Sequence, residues 1–97
     1  MKLVNLILQN IECFDLVFTD IYLFGSVLVK KSPNDIDILL LYNSQDNHVR
    51  DIIERKNCSI NKLTQFISLD IDCVVMSYLE YEKYNFIENT LIYKKIR

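Results

Sequence analysis

Residues 36–42 read Ile-Asp-Ile-Leu-Leu-Leu-Tyr, apolar at every position but one. A run of this length has the size of a strand, and a strand without polar alternation belongs in the centre of a sheet. The neighbouring segments read as the elements around it. Leu3 to about Phe18 spaces Leu3, Ile7, Ile11 and Phe14 three and four residues apart, with Val4 and Leu8 alongside, which predicts an amphipathic helix, with an extended segment from Phe14 to Phe18 as the alternative. Ile21-Tyr22-Leu23-Phe24 predicts a buried strand ended by Gly25-Ser26. Val27 to Lys31 has room only for a helical turn or two, and Ser32-Pro33-Asn34 signals a turn. Ser44 is the expected N-cap, with Asp46 in the first turn, of a long helix. That helix sets Val49, Ile52, Ile53, Ile60, Leu63 and Ile67 on one stripe, with a weak point at Asn57-Cys58-Ser59. Leu69 to Met76 predicts a third strand, and the chain from Leu79 a short helix followed by a tail ending Lys94-Lys95-Ile96-Arg97. The alternation predicts an α/β or α+β fold, with helices packed on a small sheet in one domain spanning residues 1–97.

Composition narrows the function classes. Eleven basic against thirteen acidic residues give a net charge of −2, so nothing marks a general nucleic-acid binder. No apolar run reaches the roughly 18–20 residues that cross a bilayer, so neither a transmembrane anchor nor a signal peptide is expected. The three cysteines, Cys13, Cys58 and Cys73, are odd in number and widely spaced. They read as reduced, mostly buried thiols in a cytoplasmic protein, not as a disulfide framework or a zinc knuckle. His48 is the sole histidine and reads as a surface residue near a helix start, which leaves Ser-His-Asp and Cys-His catalysis without support. A chain this short buries about two-thirds of its unfolded surface, which predicts a partner or self-association. Its single glycine, where average usage would give about seven, marks Gly25 as a position that needs one.

The chemistry concentrates on acids at strand starts. Asp35 and Asp37 alternate with Ile36 and so point to the same face, at the mouth of the apolar strand. Two carboxylates about 7 Å apart or less repel unless they are solvated or share a cation, and hard oxygen donors on a rigid element suit Mg²⁺. Asp70 and Asp72 repeat the pattern at the next strand. Asp72 is the preferred third acid because it directly precedes the apolar run Cys73-Val74-Val75-Met76. If the two strands pair, three carboxylates meet at one end of the sheet, enough for two metals roughly 3.5–4 Å apart. Gly25 allows close backbone approach to a ligand, and Ser26 adds a hydroxyl donor for a phosphate oxygen.

Leu23-Phe24-Gly25-Ser26, Pro33-Asn34-Asp35-Ile36-Asp37-Ile38-Leu39-Leu40 and Asp72-Cys73-Val74-Val75, taken in order, resemble the minimal nucleotidyltransferases of the DNA polymerase beta superfamily. The resemblance runs from about Tyr22 to Phe86. It implies a small mixed sheet of three to four strands flanked by helices. It also implies Mg²⁺, two ions, held by Asp35, Asp37 and Asp72 as catalytic residues, with Gly25 and Ser26 binding the triphosphate of ATP. Two departures stand out. Eight residues separate Gly25-Ser26 from Asp35, where the family commonly has around ten, and Val27-Leu28-Val29 follows where the family often has a basic residue. Lys30 and Lys31 are the nearest cations.

Small members of the family are often paired with a HEPN-type partner toxin and act as its antitoxin, in some cases by adding AMP to a toxin tyrosine. The resemblance therefore implies a protein acceptor. The aromatic last quarter, Tyr78, Tyr81, Tyr84, Phe86 and Tyr93, reads either as an interface or as a cover for the sheet's own face. The alternative is a binding module that keeps the fold and neutralises a partner by contact. Transfer to a small molecule such as an aminoglycoside ranks below both, and templated nucleic-acid synthesis ranks last.

Overall fold

The computed structural model describes residues 3–30, 33–85 and 92–97. Its strands are β1 (Asp20–Phe24), β2 (Asp35–Tyr42), β3 (Asp70–Ser77) and β4 (Tyr93–Lys95). They form one mixed sheet in the order β3-β2-β1-β4: β1 is antiparallel to both β2 and β4, and β2 is parallel to β3. The helices are α1 (Leu3–Gln9), α2 (Val49–Leu63) and α3 (Tyr78–Tyr84), with 3₁₀ turns at Ile11–Cys13 and Gly25–Leu28. This is the small α+β architecture expected of the sequence. The central place of β2 follows from its composition, because Ile36, Ile38, Leu39, Leu40 and Leu41 are all sealed from solvent.

The two sheet faces are covered unequally. Ile36, Ile38, Leu40 and Tyr42 point into the main core, where α1, the 3₁₀ turns, the irregular segment 14–19 and α2 contribute Ile7, Cys13, Phe14, Phe18, Val27, Ile52 and Leu63. On the opposite face only Leu39 and Leu41 are fully enclosed, by Tyr22, Phe24, Val74, Met76 and the α3 residues Tyr78 and Tyr81. Alternation along β2 puts Asp35 and Asp37 on this second, thinly covered face. The sequence-expected acids thus stand on the more open face of the sheet.

Several local expectations are corrected. The helix expected over residues 3–18 stops at Gln9, and the chain from Phe14 to Thr19 is irregular. Side chains take over the backbone there: Asn10 Nδ2 donates to the Leu6 carbonyl, and the Val17 N–H donates to Asp15 Oδ1. Carbonyls of the segment after the break are gathered by Arg97, whose guanidinium donates to those of Ile11, Phe14, Asp15 and Phe18. Helix α2 begins at Val49, not behind Ser44, because the Gln45 N–H bonds Asn43 Oδ1 and Asn47 Nδ2 bonds the Asn43 carbonyl, which holds residues 43–47 in a turn. His48 takes the N-cap position without a side-chain cap and is exposed.

No break occurs at Asn57-Cys58-Ser59. The buried Ser59 hydroxyl donates to the Arg55 carbonyl and accepts from the Asp15 N–H, so the helix carries it fully paired. Ile52 and Leu63 are buried as expected and Ile67 is buried beyond the helix end, but Val49 and Ile53 are exposed. The expected tail contains β4, which pairs Tyr93 with Phe24 and Lys95 with Tyr22. All three cysteines are free; Cys13 is buried, Cys73 partly so, and Cys58 is exposed, against the expectation for that thiol. Tyr78 and Tyr81 cover the sheet's own second face, while Phe86, part of the expected aromatic stretch, lies outside the described residues. No helix among the described residues is long and apolar enough to cross a membrane.

Candidate functional site

Strand register brings the acids together. In the parallel β2–β3 ladder Asp35 stands beside Asp70 and Asp37 beside Asp72, while on the other side Asp37 stands opposite Phe24. One carboxylate oxygen each from Asp35, Asp37 and Asp72 lies within 4.8 Å of the other two. Asp35 and Asp37 are half-buried and Asp72 is exposed, so the cluster is anchored at its base and open at its rim. Asp70 stays exposed outside this group, which favours Asp72 as the third acid.

Electrostatics marks the cluster as strained without a cation. Burial first, then the charges of Asp35 and Asp72, push the Asp37 carboxyl above the ordinary carboxylate value. For Asp72 the side-chain hydrogen bond with Asp35 comes first, followed by burial and the charges of Asp35 and Asp70, again raising the value. An all-oxygen donor set on two rigid strands fits a hard divalent cation such as Mg²⁺, whose charge would offset the repulsion between the carboxylates.

Gly25 meets the need inferred for it. Its φ is +79°, in the left-handed region open to glycine, and a Cβ there would run into Asp37 Oδ2. The bend that ends β1 is thereby held against the second acid of β2, and Gly25 and Ser26 open the following 3₁₀ turn. The Ser26 carbonyl accepts from the Val29 and Lys30 N–H groups, closing that turn. Val27, in the place where a basic residue was sought, points into the core at 5% exposure. Lys30 is exposed, and Lys31 lies outside the described residues.

One neighbour was missed by the sequence reading. The ladder pairs Asp72 with Asp37, Asp37 with Phe24, and Phe24 with Tyr93, so these four form one row across one face. Tyr93 enters only through β4, a three-residue strand with two lysines that carries little strand signal of its own. A shallow depression lined by Asp15, Asp51, Glu54, Arg55, Cys58 and Lys62 lies on the α2 side of the sheet, and an internal Arg55–Asp15 ion pair spans it. It shares no residue with the carboxylate cluster. Compared with models of known protein families, with curated proteins and with solved structures, the chain finds no match.

Proposed function

We propose that this chain is a Mg²⁺-dependent nucleotidyltransferase that moves AMP from ATP to a hydroxyl acceptor, a tyrosine of a HEPN-type partner toxin, and so acts as an antitoxin. The observation that carries the reading is the convergence of Asp35, Asp37 and Asp72 within 4.8 Å beside the Gly25 bend. The acceptor and the antitoxin role rest on the family resemblance of the sequence. Free thiols at all three cysteines accord with a reducing, cytoplasmic setting.

Each residue has a task in this reading. Asp35 and Asp37 hold the metal from the rigid start of β2, and Asp72 completes the set from β3. Mg²⁺, when bound there, supplies positive charge against the triphosphate and polarises the attacking hydroxyl. Gly25 lets the backbone come close to the phosphates, and the Ser26 hydroxyl donates to a phosphate oxygen. Asp72, the most open of the three, orients the acceptor hydroxyl and takes its proton. The acceptor oxygen bonds the α-phosphorus in line while the bond to the bridging oxygen breaks, and pyrophosphate leaves.

Incubation with ATP labelled at the α-phosphate, Mg²⁺ and the copurifying protein tests the reading. Label is expected on a tyrosine of that protein, and its transfer is expected to be lost in Asp35→Ala or Asp37→Ala with the fold retained. Transfer that survives either change sinks the metal assignment. A second reading, a contact-neutralising module, draws on the buried Val27 and the eight-residue loop, which leave no cation on the Gly25–Leu28 turn. It predicts partner neutralisation without metal-dependent nucleotide binding.

A further inference from the structure

The two edges of the sheet are built differently. On one side β4 is three residues long, reads Tyr-Lys-Lys, and is exposed throughout. Short length and lysines are the usual means of keeping a sheet edge from pairing with another chain. On the other side β3 is eight residues long and reads Asp-Ile-Asp-Cys-Val-Val-Met-Ser, with no lysine, arginine or proline. Ile71, Cys73, Val74, Val75 and Met76 are only partly buried, so both faces of this strand stay apolar out to the rim. Among the described residues, the backbone of residues 70–75 finds hydrogen-bond partners in β2 alone. Its outward N–H and C=O groups thus stand in a row without a strand partner among the described residues.

We propose that β3 is a dimerisation edge, on which the β3 of a second copy pairs antiparallel and joins two four-stranded sheets into one. Charge selects both occupant and direction. Acids lie only at the start of β3, at Asp70 and Asp72, and its second half, Val74-Val75-Met76-Ser77, is uncharged. Antiparallel self-pairing sets each copy's acids against the uncharged half of the other, with the two acid pairs at opposite ends. Parallel pairing would bring four carboxylates side by side, which opposes it. The strand is thus complementary to itself in one direction only. A two-fold interface of this kind uses the same surface on both copies and closes at the dimer, and the lysine-bearing β4 edge blocks growth into a filament. Pairing uses the backbone edge of β3, while the Asp72 carboxylate lies on the sheet face, so the proposal stands or falls separately from the nucleotidyltransferase reading.

Sedimentation of the full chain across a concentration series, combined with hydrogen exchange, tests this. The expected mass rises from 11.5 kDa to twice that value and no further. The amides of residues 70–75 that face away from β2 are expected to gain protection over the same concentration range, while those of residues 93–95 do not. Val74→Lys, on the thinly covered face, is expected to return the mass to that of one chain, with far-ultraviolet circular dichroism confirming that it is folded. The exchange experiment uses the unaltered protein, so a Val74→Lys chain that fails to fold leaves the test intact. A mass of one chain at every concentration overturns the proposal. So does a dimer whose β3 amides exchange as fast as in the monomer, a folded Val74→Lys dimer, or assembly beyond two copies. Protection of β3 that needs a different protein also overturns it.

Discussion

Gly25 and Asp37 form a tight constraint at the level of single residues. A side chain at Gly25 would have to adopt φ +79° and displace Asp37 Oδ2. The left-handed conformation alone costs about 1–2 kcal/mol for an L-residue, and moving the carboxylate adds to that. Gly25→Ala is therefore expected to lower stability by about 2 kcal/mol in urea unfolding, and to weaken Mg²⁺ binding because the disturbed group is one of the three proposed ligands. An unchanged midpoint would show that the bend tolerates a Cβ and that the glycine has another reason.

Among the elements, the junction of β3 and α3 is made without a loop: Ser77 ends the strand and caps the helix that begins at Tyr78. Its hydroxyl accepts from the Glu80 N–H, and Glu80 Oε1 accepts in return from the Ser77 N–H. Because α3 supplies Tyr78 and Tyr81 to the cover over Leu39 and Leu41, loss of the cap is expected to loosen the face that bears the acids. Ser77→Ala is expected to cost about 1 kcal/mol, read as a shifted urea midpoint with an unchanged slope.

This capping box is written in the sequence as Ser77-Tyr78-Leu79-Glu80, a signature open to a sequence reader. The strands β1, β2 and β3 were equally legible, because apolar runs bounded by Gly, Pro or Asp carry their own signal. The acid cluster was legible as an alternation of Asp with Ile at two strand starts, given only that the strands pair. The break after Gln9 was not legible, since the segment that follows it is held by Arg97, at the far end of the chain, through its carbonyls. Nor was β4, whose three residues form a strand because β1 offers an edge, and periodicity records no such long-range partner.

On the scale of the whole molecule, pH and metal act through opposing groups. Asp37 and Asp72 have raised values in the fold, so the stability that their protonation contributes is complete below the ordinary 3.8 and is lost as pH rises through the raised values. Asp15 works the other way. Burial opposes its charge, but the Val17 N–H and the Arg55 guanidinium outweigh that and hold its value down, so its contribution is present above 3.8 and is lost on acidification. Mg²⁺ at the proposed site would address only the first pair. The rise in Tm on adding Mg²⁺ is expected to be largest at neutral pH and to vanish as the carboxyls of Asp37 and Asp72 take up protons. A Mg²⁺ increment that is flat with pH would place the cation elsewhere.

The most direct test of the central claim is calorimetric titration of ATP into the protein with and without Mg²⁺, repeated on Asp37→Ala. The account predicts nucleotide binding that requires the metal and is lost when Asp37 is removed from a chain that still folds. Binding that ignores the metal, or that persists unchanged without Asp37, would contradict it.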